Sequence, residues 1–165
     1  MNPLLNKEPV KRAEKAIKAF NSNLEIICLE KTARTAQDAA TALGCNVGAI
    51  VKSLLFKTED NFILCLVSGD KRCSLNKLKV ILNIKDVSMA HPNEVKKITG
   101  YTIGGVSPVG HLNKLKIYID NNLERFTTIF AAAGHPNCVF KIDFKQLIIL
   151  TNGKKKEITE WDNQN

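Results

Sequence analysis

Residues 49–56 read AIVKSLLF and residues 62–69 read FILCLVSG, two apolar runs joined by the short polar segment KTEDN. Such runs with a short polar connection predict an antiparallel β-hairpin. Lys52 interrupts the first run, because in an alternating strand it shares a face with three large apolar residues. The strand alone leaves two explanations equally open. Lys52 either protects a sheet edge from aggregation or projects its ammonium group into an apolar cleft, where it would attract an anion or a polarised carbonyl.

The composition is that of one globular domain. The chain has 165 residues, of which 44% are apolar and 24% charged. It has no apolar run of about 18 residues, which a membrane span requires, and its first residues lack the apolar core of a secretory signal. Its five cysteines are odd in number and form no C-x-x-C pair, which argues against a disulfide framework and a zinc site. These features predict a cytoplasmic protein with no membrane partner.

The charge of the chain favours polyanionic partners. With 24 lysines and arginines against 16 acidic residues, the formal net charge is +8 at pH 7. Such an excess promotes binding to RNA through phosphate neutralisation and counterion release. A lysine-rich composition can also arise without any role in binding, so the charge alone favours nucleic acid only modestly.

Helices and strands are interspersed without the strict βαβ repeat of a dinucleotide-binding fold. Thr35, Ser74 and Asp143 are predicted helix N-caps, and Gly44 is a predicted helix stop. Helices are predicted at residues 8–22, 35–44, 74–83, 91–100 and 143–150, and further strands at residues 24–29, 115–120, 127–133 and 139–143. This order predicts a mixed or largely antiparallel sheet. The polar segment 151–165 is predicted to be a tail that frays.

A glycine-rich segment follows the fourth predicted helix. Residues 101–110, YTIGGVSPVG, hold three glycines and one proline and are predicted to form a shaped loop. Gly104 and Gly105 could present adjacent backbone amides to an oxyanion, with Pro108 stiffening the exit and Ser107 beside it as a candidate binding residue. A plain turn remains the more common explanation for such a glycine pair.

The segment SGDKR, residues 68–72, directly follows the second strand of the hairpin. Ser68, Asp70 and Lys71 are candidate substrate-binding residues here, because Lys71 and Arg72 could meet phosphate groups at the end of a strand. Most clusters of this kind are solvated turns.

The segment AAAGHPNCVF, residues 131–140, combines small residues with a turn. A His-Pro turn is usually structural, yet a strand of small residues leading into it would leave space for a pocket, which makes Gly134 and His135 candidate binding residues. The chain has no G-x-S-x-G, P-loop, G-x-G-x-x-G or H-E-x-x-H motif, and its three histidines form no local metal motif. The sequence therefore predicts no cofactor and no metal site, and any enzyme activity must work without an obvious triad.

Taken in order, the segments TARTAQDAATALG, AIVKSLLF, LVSGDKRCSLNKL, TGYTIGGVSPVGH and AAAGHPNCVFKI resemble the YbaK/ProX family of trans-editing aminoacyl-tRNA deacylases. These are free-standing relatives of the editing domain of bacterial prolyl-tRNA synthetases. The resemblance runs from about Thr32 to Leu150. It implies a single compact α/β domain of the α+β type, with a curved, mixed and largely antiparallel sheet surrounded by short helices. Residues 1–150 would form this editing domain and residues 151–165 a polar tail.

The resemblance also implies an activity, namely hydrolysis of the ester between a wrong amino acid and the 3′-terminal adenosine of a tRNA. Lys52 matches the family's essential lysine, which holds the 3′ end of the substrate. Gly104, Gly105 and Pro108 match its glycine-rich loop, whose amides bind the aminoacyl carbonyl. The expected substrate is a small noncognate amino acid on tRNA, in the first place tRNA(Pro). The expected enzyme is metal-independent and needs no cofactor.

The expected partners are the acceptor end of a mischarged tRNA and, as a further candidate, an aminoacyl-tRNA synthetase, but neither DNA nor a membrane. Two alternatives stay open. One is a catalytically inactive module of the same fold that binds tRNA or a synthetase. The other is an esterase for small molecules, a function that the excess of positive charge favours less than action on tRNA.

Overall fold

The structure is a computed structural model that describes residues 2–30 and 33–162. Thr32, at which the resemblance begins, and residues 163–165 of the predicted tail lie outside the described residues. Within the described ranges, no helix is both long enough and apolar enough to cross a membrane.

Five α-helices and ten strands are interspersed along the described chain. The helices are α1 (Glu8–Phe20), α2 (Ala36–Leu43), α3 (Leu75–Leu82), α4 (Pro92–Thr99) and α5 (Phe144–Thr151). The strands are β1 (Ile26–Cys28), β2 (Ile50–Thr58), β3 (Phe62–Ser68), β4 (Lys71–Cys73), β5 (Val87–Met89), β6 (Lys116–Asp120), β7 (Ile129–His135), β8 (Cys138–Ile142), β9 (Lys154–Lys156) and β10 (Thr159–Trp161). All predicted helices and strands are present, and β4, β5, β9 and β10 were not predicted.

The predicted hairpin lies at the centre of the sheet. β2 and β3 pair antiparallel, from Val51 opposite Ser68 to Lys57 opposite Phe62. The strand order is β1-β8-β7-β2-β3-β6-β9, with β5 also paired to β2, and β10 pairs with β4 in a separate two-stranded sheet. Five of these pairings are antiparallel and three, β2–β7, β3–β6 and β6–β9, are parallel. The predicted mixed sheet of an α/β domain is therefore confirmed.

Apolar side chains of β3 are buried on both faces of the sheet. Leu64 and Leu66 pack in one cluster with Ile17 of α1. Cys65 packs in a second cluster with Leu78 of α3. The two-residue period of a strand explains this division. Each fully buried leucine contributes about 1.5–3 kcal/mol to the free energy of folding.

Side-chain hydrogen bonds confirm the predicted helix starts. The side chains of Thr35, Ser74 and Asp143 each accept a hydrogen bond from the amide three residues later, at 3.1, 3.2 and 2.8 Å. Gly44 ends α2 in the left-handed conformation, with φ of 68°. The cap at Thr35 fixes the start of α2, which packs beside β2.

The prediction of a fraying tail is wrong for residues 154–161. β9 pairs with β6 and β10 pairs with β4, and Ile158 between them is fully buried. The polar composition of this segment concealed both its one buried isoleucine and the sheet edges whose backbone groups it satisfies. As a result, Trp161 and Asp162 lie against the hairpin end of the molecule.

Candidate active site

A cavity of about 640 Å³ opens at one end of the hairpin. Four segments that the sequence singled out separately meet around it: β2, the turn after β3, the glycine-rich loop and the β7–β8 hairpin. Its lining includes Ala33, Arg34, Ala36, Val47, Ile50, Lys52, Leu54, Asp70, Gly104, Val106, Ala132, Pro136, Val139 and Asp162. The walls are largely apolar and the charged groups few, which is the usual construction of a small-molecule site. Ala132, from the strand of small residues, is part of this lining.

Lys52 projects into this cavity from β2. Its Nζ donates a hydrogen bond to the backbone carbonyl of Lys71 at the start of β4. Burial lowers the pKa of Lys52, and the carboxylates of Asp162 and Asp70 act in the opposite direction. The ammonium group is thus held by one backbone acceptor and two acidic neighbours within apolar walls. Of the two explanations that the strand left open, this geometry favours the cleft.

Asp70 lies at the cavity wall within a network that includes Ser68 and Arg125. Arg125 forms a bidentate ion pair with Asp70, with Nη2–Oδ1 at 2.7 Å and Nη1–Oδ2 at 3.0 Å, and Nη2 also donates to Ser68 Oγ at 2.8 Å. Burial alone would raise the pKa of Asp70, but hydrogen bonds from Arg125 and Ser68 together with the arginine's charge hold it below its usual value. Ser68 is fully buried behind Asp70 and supports it.

The glycine-rich loop brings Gly104 to the cavity. Gly104 has φ of +89°, a conformation that favours glycine. Its amide donates no hydrogen bond to another residue of the described chain. Gly105 has a different position: its amide donates to the Thr102 carbonyl at 2.9 Å, and a Cβ here would lie 2.9 Å from the Cα of His135. Gly105 therefore packs the loop against β7, and Gly104 is the glycine of the pair whose amide has no partner within residues 2–30 and 33–162.

Ser107 and Pro108 do not line the main cavity. Ser107 is fully buried, and its carbonyl accepts a hydrogen bond of 2.6 Å from Nε2 of His111. Pro108 lines a second cavity of about 500 Å³, together with residues of β6 and the end of α5. Both residues thus shape the loop without lining the cavity that Gly104 lines.

Lys71 contributes its backbone to the site, but its side chain turns away. Its carbonyl holds Lys52, while its Nζ lies 3.1 Å from the centre of the Trp161 ring. The neighbouring Arg72 pairs with Glu160 at 2.9 Å. Both side chains thus have partners within the protein, and this geometry does not support the predicted phosphate contact.

Gly134 and His135 lie at the end of β7, beside the cavity rather than in its lining. A Cβ on Gly134 would lie 2.5 Å from the carbonyl oxygen of Pro9, so this glycine permits close approach of α1. His135 accepts a hydrogen bond of 3.0 Å at Nδ1 from the amide of Asn137. These contacts shape the β7–β8 turn, from which Pro136 reaches the cavity.

Four residues of the site region were not predicted from the sequence: Arg34, Arg125, Trp161 and Asp162. Arg34 lies in the TARTAQDAA segment, and its charge was the one signal available. The other three became recognisable only through contacts between residues distant in sequence. Across residues 2–30 and 33–162, no group of three or more His, Cys, Asp or Glu side chains is arranged to hold a metal ion.

Comparison with known proteins gives the family. The model of the aminoacyl-tRNA editing domain matches residues 30–150. The chain is 34% identical over 129 residues to the uncharacterised protein YwhH of Bacillus subtilis, covering 78% of this chain and 82% of YwhH. It is 28% identical over 126 residues to EbsC of Enterococcus faecalis, described as a candidate Cys-tRNA(Pro)/Cys-tRNA(Cys) deacylase, covering 76% of this chain and 77% of EbsC.

The fold comparison agrees with the sequence comparison. A solved structure described as a candidate trans-editing enzyme for prolyl-tRNA synthetase superposes with a TM-score of 0.88 at 36% identity, covering 93% of this chain and 98% of the other. The fold brings segments of residues 30–150 together at one cavity. Because the family model matches these residues, which make up most of the chain, the chain belongs to the family of aminoacyl-tRNA editing domains.

Proposed function

We propose that this protein is an aminoacyl-tRNA deacylase that acts in trans, hydrolysing the ester of a small noncognate amino acid on the 3′-terminal adenosine of a tRNA. The observation that carries the proposal is that Lys52 and Gly104 line one cavity in a chain that belongs to the editing-domain family.

In the proposed reaction, water attacks the aminoacyl carbonyl carbon and the bond to the ribose oxygen breaks, which gives a free amino acid and an uncharged tRNA. Negative charge develops on the carbonyl oxygen in the transition state, and an amide donor within a water-poor cavity stabilises it. Gly104 supplies that donor. Lys52 anchors the terminal adenosine and adds positive charge, which the apolar walls leave less screened than in water.

No strong protein base is needed for this chemistry. Both carboxylate oxygens of Asp70 are engaged by Arg125, and its lowered pKa makes it a weak proton acceptor. An aminoacyl ester is already activated, so positioning and oxyanion stabilisation can supply most of the rate enhancement. As the resemblance implies, the substrate's own ribose hydroxyl would assist the attacking water. The proposed reaction is metal-independent and takes place in the cytoplasm.

The resemblance implies that the acyl group of the substrate is a small amino acid, and the side chains that line the cavity are consistent with it. Ala33, Ala36 and Ala132 line the cavity together with Gly104, and their short side chains leave room for the aminoacyl group. We assign tRNA(Pro) as the first substrate to test, because both EbsC and the superposed structure are described in relation to proline decoding. A prolyl-tRNA synthetase is the corresponding candidate partner.

The test is a panel of mischarged tRNAs carrying alanine, cysteine or serine on tRNA(Pro), with correctly charged Pro-tRNA(Pro) as the control. Rapid release of at least one noncognate amino acid, with Pro-tRNA(Pro) left intact, is the expected result. Release of none, with tRNA binding retained, would favour the inactive binding module. Activity on simple esters that does not decline with added salt would favour the small-molecule esterase.

A further inference from the structure

Trp161 is the single tryptophan of the chain and lies at the edge of the active-site cavity. It ends β10, where it pairs opposite Lys71 of β4. The next residue, Asp162, lines the cavity. Lys71 joins the two places, because its carbonyl holds the catalytic-site Lys52 while its ammonium group contacts the indole. Trp161 is thus adjacent in sequence to one lining residue, Asp162, and contacts Lys71, whose carbonyl binds a second lining residue, Lys52.

The indole is more exposed than its structural contacts explain. Lys71 Nζ lies 3.1 Å from the ring centre and the Arg125 guanidinium lies 5.8 Å from it. One face of the ring covers Lys71, which is only 7% exposed. This contact leaves 58% of Trp161 accessible to solvent. A large aromatic surface backed by cations is a stacking platform of the kind found in proteins that bind single-stranded nucleic acids.

We propose that Trp161 stacks an unpaired RNA base of the acceptor end, on the 5′ side of the nucleotide that occupies the cavity. This inference rests on the proposed function, since the ester would bring a single-stranded 3′ end to this edge. Stacking tolerates any base because each has a π face. Trp161 would therefore strengthen binding of the acceptor end without choosing among tRNAs, and it lies outside residues 30–150, which match the family model.

The single tryptophan makes the test direct, because intrinsic tryptophan fluorescence reports only on this residue. The probe is the uncharged RNA tetranucleotide ACCA, and the control is an oligonucleotide of equal length and phosphate number in which the two cytidines are abasic. Saturable quenching by ACCA and little quenching by the abasic control are expected. Equal quenching by both, or quenching by neither, overturns the proposal.

Variants give a second, independent readout. Trp161→Ala should weaken binding of labelled ACCA by about 5- to 150-fold, whereas Trp161→Phe should retain most of the affinity. Ile149→Ala is the matched control, because it removes an apolar side chain that is 68% exposed. Wild-type affinity in Trp161→Ala would contradict the proposal. If Trp161→Ala fails to fold by thermal melting, Trp161→Phe and the wild-type titration decide.

The two proposals can fail separately. Quenching by ACCA with no deacylation of any mischarged tRNA would refute the enzymatic function and leave the stacking site standing. Deacylation with no base-dependent quenching would refute the stacking site and leave the enzymatic function standing.

Discussion

Replacing Lys52 by methionine should abolish deacylation without unfolding the protein. Burial lowers the pKa of Lys52, which means that the folded protein disfavours its charged form. Methionine keeps an unbranched side chain, one atom shorter, and removes that charge, while the Lys71 carbonyl loses one hydrogen-bond donor. These effects oppose each other, so the free energy of unfolding should change by no more than about 1 kcal/mol.

The effect on catalysis should be far larger than the effect on stability. Loss of one preorganised group that stabilises developing charge costs about 10²- to 10³-fold in rate, or about 3–4 kcal/mol, in other hydrolases. The assay is single-turnover release of radiolabelled amino acid from mischarged tRNA, combined with urea unfolding of each variant.

Lys57→Met is the matched control, because it removes a lysine from the same strand. Lys57 is exposed and forms an ion pair with Glu94 at 3.4 Å, which is worth at most about 1 kcal/mol. This variant should deacylate at the wild-type rate. Wild-type activity in Lys52→Met, or an equal loss in both variants, would refute the role given to Lys52.

Ile158→Ala should lower the free energy of unfolding by about 2–5 kcal/mol in urea titrations, and Ile149→Ala by less than about 0.5 kcal/mol; equal small effects would mean that the C-terminal strands do not pack. Burial lowers the pKa of His111, so this histidine takes up a proton more readily in the unfolded chain than in the folded protein. The melting temperature should therefore fall as pH drops below about 6.5. His111→Gln should weaken that pH dependence, and an unchanged slope would contradict it. Gly105→Ala should reduce deacylation by about 100-fold, because its Cβ would meet the backbone of His135 at 2.9 Å and displace the loop; a wild-type rate would show that the loop tolerates the shift.

The hairpin and the helix caps could be predicted because their signals are local. A strand buried on both sides has a continuous apolar run, as residues 62–67 do, and Thr35 caps α2 through an amide only three residues away. The order of the family motifs also predicted that Lys52 and Gly104 share a site. Nothing in either stretch alone predicted their proximity, since opposing explanations stayed open for both.

The division of roles between Gly104 and Gly105 could not be read from the sequence. Two adjacent glycines look equivalent in a list of residues, yet one amide is used internally by Thr102 and the other is not. The same holds for Lys71, whose charge predicted a phosphate contact and whose side chain instead lies against Trp161. In both cases the outcome depends on which partner the folded chain brings within hydrogen-bond or van der Waals distance.

By itself, the sequence determined the central hairpin, the capped helices, the excess of positive charge and the family motifs. Each of these depends on residues close together in the chain or on composition. Only the tertiary structure decided that the C-terminal segment folds, that Arg125 holds Asp70 across 55 positions of sequence, and that Trp161 stands beside the cavity. Such contacts carry no local periodicity, because the energy that selects them comes from burial and pairing between segments that meet only after the sheet has formed.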